Sequence, residues 1–297
     1  MARPLASANP AGTTVAPHPE KQREFAFTNR EFEQLRALAR AHTGISLSDM
    51  KRELIYGRVA RRLRQLGLGS FQQYCEVLEQ DTGPELEQFV NAITTNLTSF
   101  FREKHHFDYL AQTLLPKLAA KNGTPLRLRI WSAGCSTGEE PYSIAMTLND
   151  TMTRNGVLDF KILATDIDSN VLARAQSGVY KIEQIQGIAE ARRRRWFRRG
   201  KGDKQGLVKV MPELQAHIHF RQLNLMQPWP MHGLFDIIFC RNVVIYFDKP
   251  TQKQLFERFA NVQPDSGHLF LGHSESLFKV TDRYQLIGKT IYAKVPR

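Results

Sequence analysis

The spacing of apolar residues in the first third of the chain predicts several short helices. An apolar run at helical spacing starts after Thr28, which forms a capping-box pattern with Glu31, and Gly44 ends it. Further helix-start signals occur at Ser48, Ser70 and Pro84. We therefore predict an all-α domain over residues 23–95, preceded by a tail at 1–22 whose Ala-, Pro- and Thr-rich composition is typical of disorder.

The pattern changes after a predicted linker and connecting helix at 96–125. Short apolar strands then alternate with stretches of helix length. The predicted strands lie at 126–131, 160–164, 218–220, 235–240 and 268–271, and a hairpin follows at 284–295. This alternation predicts a doubly wound α/β sheet over 126–297, interrupted at about 180–215 by an inserted subdomain that is rich in glycine and basic residues.

Composition narrows the class of protein. A chain of 297 residues with 42% hydrophobic content has enough material for two globular domains, and its apolar runs fall well short of the roughly 20 residues of a membrane span. The N-terminus lacks the apolar core of a secretory signal, so we expect a cytoplasmic protein. Cys75, Cys135 and Cys240 are far apart and lack metal-ligand spacing, so we expect free thiols and no metal site.

The net charge of +12 is concentrated in two segments. Residues 51–64 hold six basic residues against one acidic residue, and residues 192–204 hold eight against one. Two basic patches suit a nucleic acid or an acidic protein surface, and charge alone does not choose between them. The basic face of the predicted helix at 51–64 also balances an acidic stretch that follows it, so a solvated face is the simpler alternative.

The stretch Ser132–Ser143 follows the first predicted strand and opens a helix, which is the position of a cofactor loop. Gly134 and Gly138 allow positive φ and a close approach to a ligand. The adjacent Glu139 and Glu140 would repel the pyrophosphate of a nicotinamide cofactor, whereas they suit the cationic S-adenosylmethionine. One glutamate is expected to bind the cofactor and the other to cap the helix, and the sequence leaves open which is which.

Six motifs occur in order along the chain. They are Asn96–Glu103, the loop Ser132–Ser143, Thr165–Asp168, Leu223–Leu225, Phe239–Phe247 and Gly272–Glu275. Together they resemble the CheR family of chemotaxis receptor methyltransferases, over about residues 25–295. The resemblance implies a class I S-adenosylmethionine-dependent methyltransferase with a Rossmann-like α/β sheet, an N-terminal all-α domain and a small inserted antiparallel β-subdomain.

The resemblance also implies roles for individual residues. The implied cofactor contacts are Asn96, Thr98, Arg102, Gly134, Glu139, Glu140, Asp166, Asn224, Leu225, Arg241 and Asn242. The implied catalytic residues are Arg102, Arg241 and Tyr246. Asp166 suits the two hydroxyls of a ribose, with a helix cap as its simpler role, and a packed aromatic is the simpler role for Tyr246.

The implied reaction transfers a methyl group from S-adenosylmethionine to glutamate side chains of chemoreceptors, giving glutamate methyl esters and S-adenosylhomocysteine. We expect cytoplasmic receptor helices as partners, docked by Lys51, Arg58, Arg61 and Arg62. Some family members also bind a receptor's C-terminal pentapeptide at the β-subdomain, which makes this a second expected contact.

Two alternatives carry other functions. A nucleic-acid methyltransferase would explain the basic charge, but the chain has no Asp/Asn-Pro-Pro-aromatic motif. Apart from Trp196 and Phe197, its basic patches also lack aromatics for base stacking. A noncatalytic adaptor is the second alternative, and the presence of Arg102, Arg241 and Tyr246 argues against it.

Overall fold

The computed structural model describes residues 23–80, 83–122, 126–155 and 158–296. The predicted tail at 1–22 lies outside this range. The N-terminal helices are α1 (Asn29–Thr43), α2 (Arg52–Leu66), α3 (Phe71–Gln80) and α4 (Pro84–Ile93). Thr28 and Glu31 form the predicted capping box of α1, and Gly44 ends that helix in the left-handed region at φ +73°. Ser48 precedes a 3₁₀ turn, Asp49–Lys51, that leads into α2.

These four helices enclose their own apolar core. Its members lie on the helix faces that the sequence spacing predicts, and the largest fully buried side chains are Phe32, Phe71, Tyr74 and Phe89. A long helical segment then connects this core to the rest of the chain: α5 (His105–Tyr109), a π-helical turn (Leu110–Leu114) and α6 (Leu115–Asn122). In the described residues, no helix is long and apolar enough to span a bilayer.

The second half of the chain forms a seven-stranded sheet. Its strands are β1 (Leu126–Ala133), β2 (Leu158–Asp166), β6 (Ile218–Gln222), β7 (Ile237–Cys240), β8 (His268–Leu271), β9 (Tyr284–Gly288) and β10 (Ile291–Lys294). They are arranged in the order β6-β2-β1-β7-β8-β10-β9, and β10 runs antiparallel to both of its neighbours. The helices α7 (Glu139–Asn155), α8 (Ser169–Ser177) and α11 (Lys249–Asn261) connect successive strands.

Alternate residues of the central strands enter two different apolar cores. Ile130 and Ile237 pack into one core with α7, whereas Trp131 and Ile238 pack into the other with Phe256 and Phe259 of α11. Burial on both faces explains why β7 is apolar throughout, whereas the first half of β1 alternates because Arg127 and Arg129 are exposed. The sheet is therefore doubly wound, as the sequence pattern predicts.

The interruption at about 180–215 is a separate three-stranded antiparallel sheet. It consists of β3 (Val179–Lys181), β4 (Phe197–Arg199) and β5 (Leu207–Val210) in the order β3-β5-β4, with helices α9 (Glu190–Trp196) and α10 (Pro212–Gln215). Phe197 and Val208 bury their side chains in the same core as α7. The inserted subdomain is thereby attached to the main sheet.

Candidate active site

A cavity lies where the helical domain meets the carboxyl ends of the parallel strands. With its open mouth it encloses about 1010 Å³. Strand order reverses between β1 and β7, and in open α/β sheets ligands bind at such a switch point. The lining includes ten of the eleven predicted cofactor residues, namely Asn96, Thr98, Arg102, Gly134, Glu140, Asp166, Asn224, Leu225, Arg241 and Asn242, and also Tyr246 and Lys51.

The two glycines of the Ser132–Ser143 loop pack against different parts of the structure. Gly134 lines the cavity at φ +85°, and a Cβ there would lie 2.3 Å from Cγ2 of Val243, so this strand end accepts no larger residue. Gly138, at φ +96°, is packed under α8, where a Cβ would lie 2.9 Å from Cβ of Ala175. The loop glycines therefore permit tight packing around the cavity as well as close approach to a ligand.

The two adjacent glutamates point to different places. Glu140 lines the cavity, where it accepts hydrogen bonds from Oγ of Ser132 at 2.7 Å and from Nη1 of Arg241 at 3.1 Å. Glu139 is buried outside the cavity lining and accepts from Oγ1 of Thr137 at 2.6 Å, at the start of α7. The geometry thus favours Glu140 as the cofactor residue and Glu139 as the one that stabilises the helix start.

Asp166 ends β2 as a buried carboxylate on the cavity wall. Its oxygens accept from the backbone N–H of Ser136 at 2.8 Å and of Asp168 at 3.0 Å. Burial raises the pKa of Asp166 to about 6, with these backbone hydrogen bonds opposing the shift. The neighbouring Asp168, and not Asp166, caps α8, since its side chain accepts from the backbone N–H of Asn170 and Val171.

Arg241 is a buried cation held between two acidic side chains. Its Nη1 lies 3.1 Å from Oε2 of Glu140 and its Nη2 lies 3.4 Å from Oε2 of Glu103, and it also donates to the backbone carbonyl of Arg102. With 2% of its side chain exposed, Arg241 is not a surface charge. Arg102 is anchored in turn by a 2.7 Å hydrogen bond from Nη1 to the carbonyl of Leu97.

Glu275 positions the loop that follows β7, a role that the Gly272–Glu275 motif alone does not reveal. The buried carboxylate accepts from the backbone N–H groups of Asn242, Val244 and Gly272 at 2.9, 2.9 and 2.6 Å. Asn242 itself adopts φ +59°. One carboxylate thus fixes the strained turn that carries Asn242 into the cavity lining.

Backbone strain is concentrated around this cavity. Of the six non-glycine residues with positive φ in the described ranges, four lie in the segments that surround it: Phe101, Glu103, Ser136 and Asn242. Each such conformation costs about 1–3 kcal/mol and persists only where surrounding contacts enforce it. The backbone conformations around the cavity are therefore held in place by neighbouring contacts, although each one costs local stability.

Tyr246 lies half-buried at the cavity next to a lysine from the other domain. Nζ of Lys51 is 4.5 Å from the centre of the Tyr246 ring, a cation–π contact, and both residues line the cavity. Burial raises the pKa of Tyr246, which keeps its hydroxyl protonated at neutral pH. Lys51, predicted from the sequence to be a docking residue, thus contributes to the cavity itself.

The remaining basic residues of α2 are not equivalent. Arg58 donates to the backbone carbonyls of Ala92 and Thr94, and Arg62 forms a salt bridge with the buried Glu85. Arg58 thus binds the segment that leads to Asn96, and Arg62 links two helices of the helical domain. Because both side chains are engaged inside the protein, they are poorly placed to dock a receptor. The side chain of Arg61 is exposed.

Three of the eight basic residues of the second cluster form salt bridges within the described residues. Arg192 and Arg195 lie 2.5 and 3.5 Å from the carboxylate oxygens of Asp150, and Arg194 pairs with Glu190. Arg195 also lies over the ring of Trp196, with 4.5 Å from its Cζ to the ring centre. These two carboxylates offset only part of the cluster's charge, and Arg198 and Arg199 are exposed.

The cavity suits a cationic nucleoside cofactor. Its lining combines charged side chains of both signs with apolar ones, a combination that matches a zwitterionic amino-acid end, a ribose and a flat base. The acidic residues are Glu140 and Asp166, the basic ones Lys51, Arg102 and Arg241, and the apolar ones include Leu223, Leu225 and Val243. If the seven strands of the main sheet are numbered 1 to 7 along the chain, their order in the sheet is 3-2-1-4-5-7-6. The seventh of them, β10, is antiparallel to its neighbours. Fold and site together define a class I S-adenosylmethionine-dependent methyltransferase.

Comparison with known proteins specifies the family. Residues 30–94 match the family model described as CheR methyltransferase, all-alpha domain, and residues 96–293 match CheR methyltransferase, SAM binding domain. The chain therefore belongs to the CheR methyltransferase family, as the six motifs predict.

Three named relatives are similar in sequence to this chain over nearly their full length. The chain is 45% identical over 273 residues to chemotaxis protein methyltransferase 2 of Pseudomonas aeruginosa, covering 91% of this chain and 95% of that protein. It is 44% identical to the chemotaxis protein methyltransferase of Escherichia coli, covering 90% and 92%, and 41% identical to that of Salmonella typhimurium, covering 97% and 98%.

Proposed function

We propose that this protein methylates glutamate side chains of chemoreceptors on their cytoplasmic helices, giving glutamate methyl esters. The observation that carries the proposal is a cavity that combines acidic residues for a cationic cofactor with Arg102, Arg241 and Tyr246 at the domain junction. The names of the relatives point to chemotaxis as the process.

The cavity residues divide the work of binding. Asp166 would accept hydrogen bonds from the ribose hydroxyls, while Glu140 would face the positively charged end and Leu225 would cover the base. S-adenosylmethionine supplies a methyl group on a sulfonium centre. The protein's own task is to exclude water and to align the acceptor oxygen with that methyl, because a glutamate with a pKa of about 4.3 is already ionised at neutral pH.

Arg102 and Arg241 would orient the acceptor carboxylate. Arg241 is fixed by two acidic neighbours and a backbone carbonyl, so little rotamer freedom is lost when a substrate arrives. Arg102 is anchored through one nitrogen to Leu97, which leaves other N–H groups of its guanidinium for a carboxylate. The protonated hydroxyl of Tyr246 would complete the acceptor site.

The direct test is incubation of the purified chain with radiolabelled S-adenosylmethionine and receptor-containing membranes. We expect label on the receptor that alkali releases as volatile methanol, the signature of a methyl ester. An N-methyl product would resist alkali. Label on nucleic acid, or no transfer to any receptor of the cognate organism, would refute the proposal in favour of the nucleic-acid enzyme or the noncatalytic adaptor.

Receptor docking would use the exposed stripe of α2 and the turn before it. Met50, Leu54, Gly57 and Arg61 are all exposed and follow one another at helical spacing, and a Cβ on Gly57 would meet no atom within 4 Å. A glycine on an open face lets a second helix pack closely. Arg61 would then meet acidic residues of the receptor helix.

Charge reversal at two neighbouring arginines separates docking from cofactor positioning. Arg61→Glu should raise KM for receptor about fivefold, the effect of roughly 1 kcal/mol from an exposed charge pair, and leave the Kd for S-adenosylmethionine unchanged. Arg58→Glu should weaken cofactor binding about tenfold, because it releases the carbonyls of Ala92 and Thr94 next to Asn96. Isothermal titration measures the Kd for S-adenosylmethionine, and receptor kinetics measure KM. If the two variants change these constants in the same way, Arg58 and Arg61 do not have separate roles.

Cofactor affinity should depend on pH through Asp166. With a pKa raised to about 6, this carboxyl becomes protonated as the pH falls from 7 to 5, and we expect S-adenosylmethionine affinity to drop roughly tenfold at pH 5. The effect on folding has the opposite sign: protonated Asp166 favours the folded state at low pH, and this contribution is lost as the pH rises through about 6.

Calorimetric titrations at pH 5–7.5 measure this dependence. Asp166→Asn should bind more weakly and show a flatter profile. Burial also raises the pKa of Glu140, so Glu140→Gln is the matched control and should retain the Asp166 step. Constant wild-type affinity over this range would contradict the assignment of Asp166.

We also propose that the inserted β-subdomain binds an acidic C-terminal receptor peptide by strand addition. β4 is an edge strand, and its Arg198 and Arg199 are exposed. Calorimetric titration with cognate receptor tails should give one-to-one binding that Arg198→Glu weakens. Absence of binding for all such tails would contradict a peptide site at β4.

A further inference from the structure

A cluster of potential metal ligands lies behind Arg241, outside the cavity lining. Glu103, His105 and His106 each offer one ligand atom, and these three atoms lie within 4.8 Å of one another. His273 joins them, since its Nδ1 is 3.0 Å from Oε1 of Glu103. The cysteine spacing, which predicts no metal site, carries no information about this cluster of histidines and a glutamate.

Hydrogen bonding fixes the chemical state of the two adjacent histidines. Nε2 of His106 is 3.2 Å from the carbonyl oxygen of Lys289 and 3.0 Å from Oγ1 of Thr290, and Nε2 of His105 is 3.2 Å from the same carbonyl. A carbonyl only accepts, so in a neutral ring each Nε2 carries the hydrogen and each Nδ1 keeps its lone pair. Metal-bound histidines usually have this arrangement, with the outer nitrogen donating to a backbone carbonyl.

Two buried ligand atoms in the cluster have no hydrogen-bond partner. His106 is fully buried, and its Nδ1 lies 3.7 Å from Oε2 of Glu103; neither atom forms a hydrogen bond in the described residues. Around a tetrahedral Zn²⁺ with bonds of about 2.0–2.1 Å, neighbouring ligand atoms are about 3.4 Å apart. The pair is therefore close to the spacing that a bound ion imposes.

We propose that Glu103, His105 and His106 form a binding site for a divalent transition-metal ion, with Zn²⁺ as the best match to two imidazoles and a carboxylate. The exposed ring of His273 contacts Oε1 of Glu103 from outside this three-residue group. The left-handed backbone of Glu103, at φ +57°, holds its carboxylate beside the two rings that follow it.

The site is coupled to the cavity through Glu103. Oε2 of Glu103 is 3.4 Å from Nη2 of Arg241, so a metal ion and Arg241 compete for the same carboxylate. Ligation would leave Arg241 with Glu140 as its acidic partner and place a second positive charge nearby. Zn²⁺ should therefore inhibit methyl transfer, and it should do so whichever methyl acceptor the enzyme uses.

The test is calorimetric titration of the chelator-treated full-length chain with ZnCl₂, with MgCl₂ as a hard-cation control. We expect one Zn²⁺ per chain with a Kd below about 100 µM and no Mg²⁺ binding. His105→Ala should weaken Zn²⁺ binding at least tenfold, whereas His219→Ala, which removes an exposed histidine on β6, should bind as the wild type does. Thermal melting in chelator confirms that each variant is folded.

Methyl-transfer rates provide the second readout. Zn²⁺ should slow the wild type, chelator should restore it, and His105→Ala should need at least tenfold more Zn²⁺ for the same inhibition. One-to-one binding that persists in His105→Ala, or no saturable binding by the wild type, would overturn the site. Binding without any change in rate would overturn the coupling to Arg241.

Discussion

Replacing Arg241 by alanine should reduce methyl transfer by about 100-fold or more and also destabilise the protein. The change leaves the carboxylates of Glu103 and Glu140 buried without their shared cation, and breaking a buried ion pair in this way costs about 3–5 kcal/mol. The melting temperature should fall by roughly 10 °C. Arg241→Lys should recover part of the stability but little of the rate, because one ammonium group cannot replace a fork that spans two carboxylates.

The matched control for this variant is Arg283→Ala. Arg283 is also buried and pairs with Glu257 at 2.7 Å, but it does not line the cavity. It should lower the melting temperature while the folded protein keeps its affinity for S-adenosylmethionine. Calorimetric binding, thermal melting and single-turnover kinetics of the three variants separate stability from chemistry. An Arg241→Ala enzyme with wild-type turnover would show that this guanidinium has no part in the reaction.

Replacing Glu275 by alanine should have the second large effect, without any direct contact to a ligand. The change removes the acceptor for the backbone N–H groups of Asn242, Val244 and Gly272, of which the last two are buried. Each unsatisfied group costs about 1–3 kcal/mol, so we expect a loss of about 3 kcal/mol or more in the free energy of unfolding. The turn at Asn242 would relax from its left-handed conformation, and cofactor affinity should fall at least tenfold.

Asp236→Ala is the control for this second prediction. Asp236 also accepts a backbone N–H, that of Arg129 at 2.8 Å, but it lies outside the cavity lining. Its loss should cost about 1 kcal/mol and leave cofactor affinity unchanged. Denaturant unfolding and calorimetry measure both quantities. If Glu275→Ala loses stability but binds S-adenosylmethionine normally, the carboxylate supports the fold and does not position the site.

Local patterns in the sequence predict most elements of the fold because the signals are themselves local. The capping box at Thr28, the left-handed Gly44 and the alternation of strands and helices after residue 126 all depend on neighbours within a few positions. Burial on both faces of the sheet is a finding of the structure, in which the central strands contribute to two separate cores. The ordered motifs identified the family.

The contacts of the basic residues at 51–62 could not be predicted from local patterns. Lys51, Arg58, Arg61 and Arg62 are basic residues of α2 and the turn before it. The structure nevertheless places one at the cavity, two in internal contacts and one in solvent. Their partners, Thr94, Glu85 and Tyr246, come from segments between 23 and 195 positions away. Helical periodicity gives the direction of a side chain but not the element that it meets.

The Ser132–Ser143 loop shows the same division between sequence and structure. Its composition was enough to predict a cofactor turn and to favour a cationic ligand over a pyrophosphate. Two adjacent glutamates are indistinguishable by composition, and only the packing of β1, α7 and β7 directs Glu140 towards Arg241 and Glu139 away from the cavity. The sequence determined the elements, the family and the types of residue at the site. The tertiary structure decided which carboxylates share a buried cation, because that depends on distances between strands far apart in the chain.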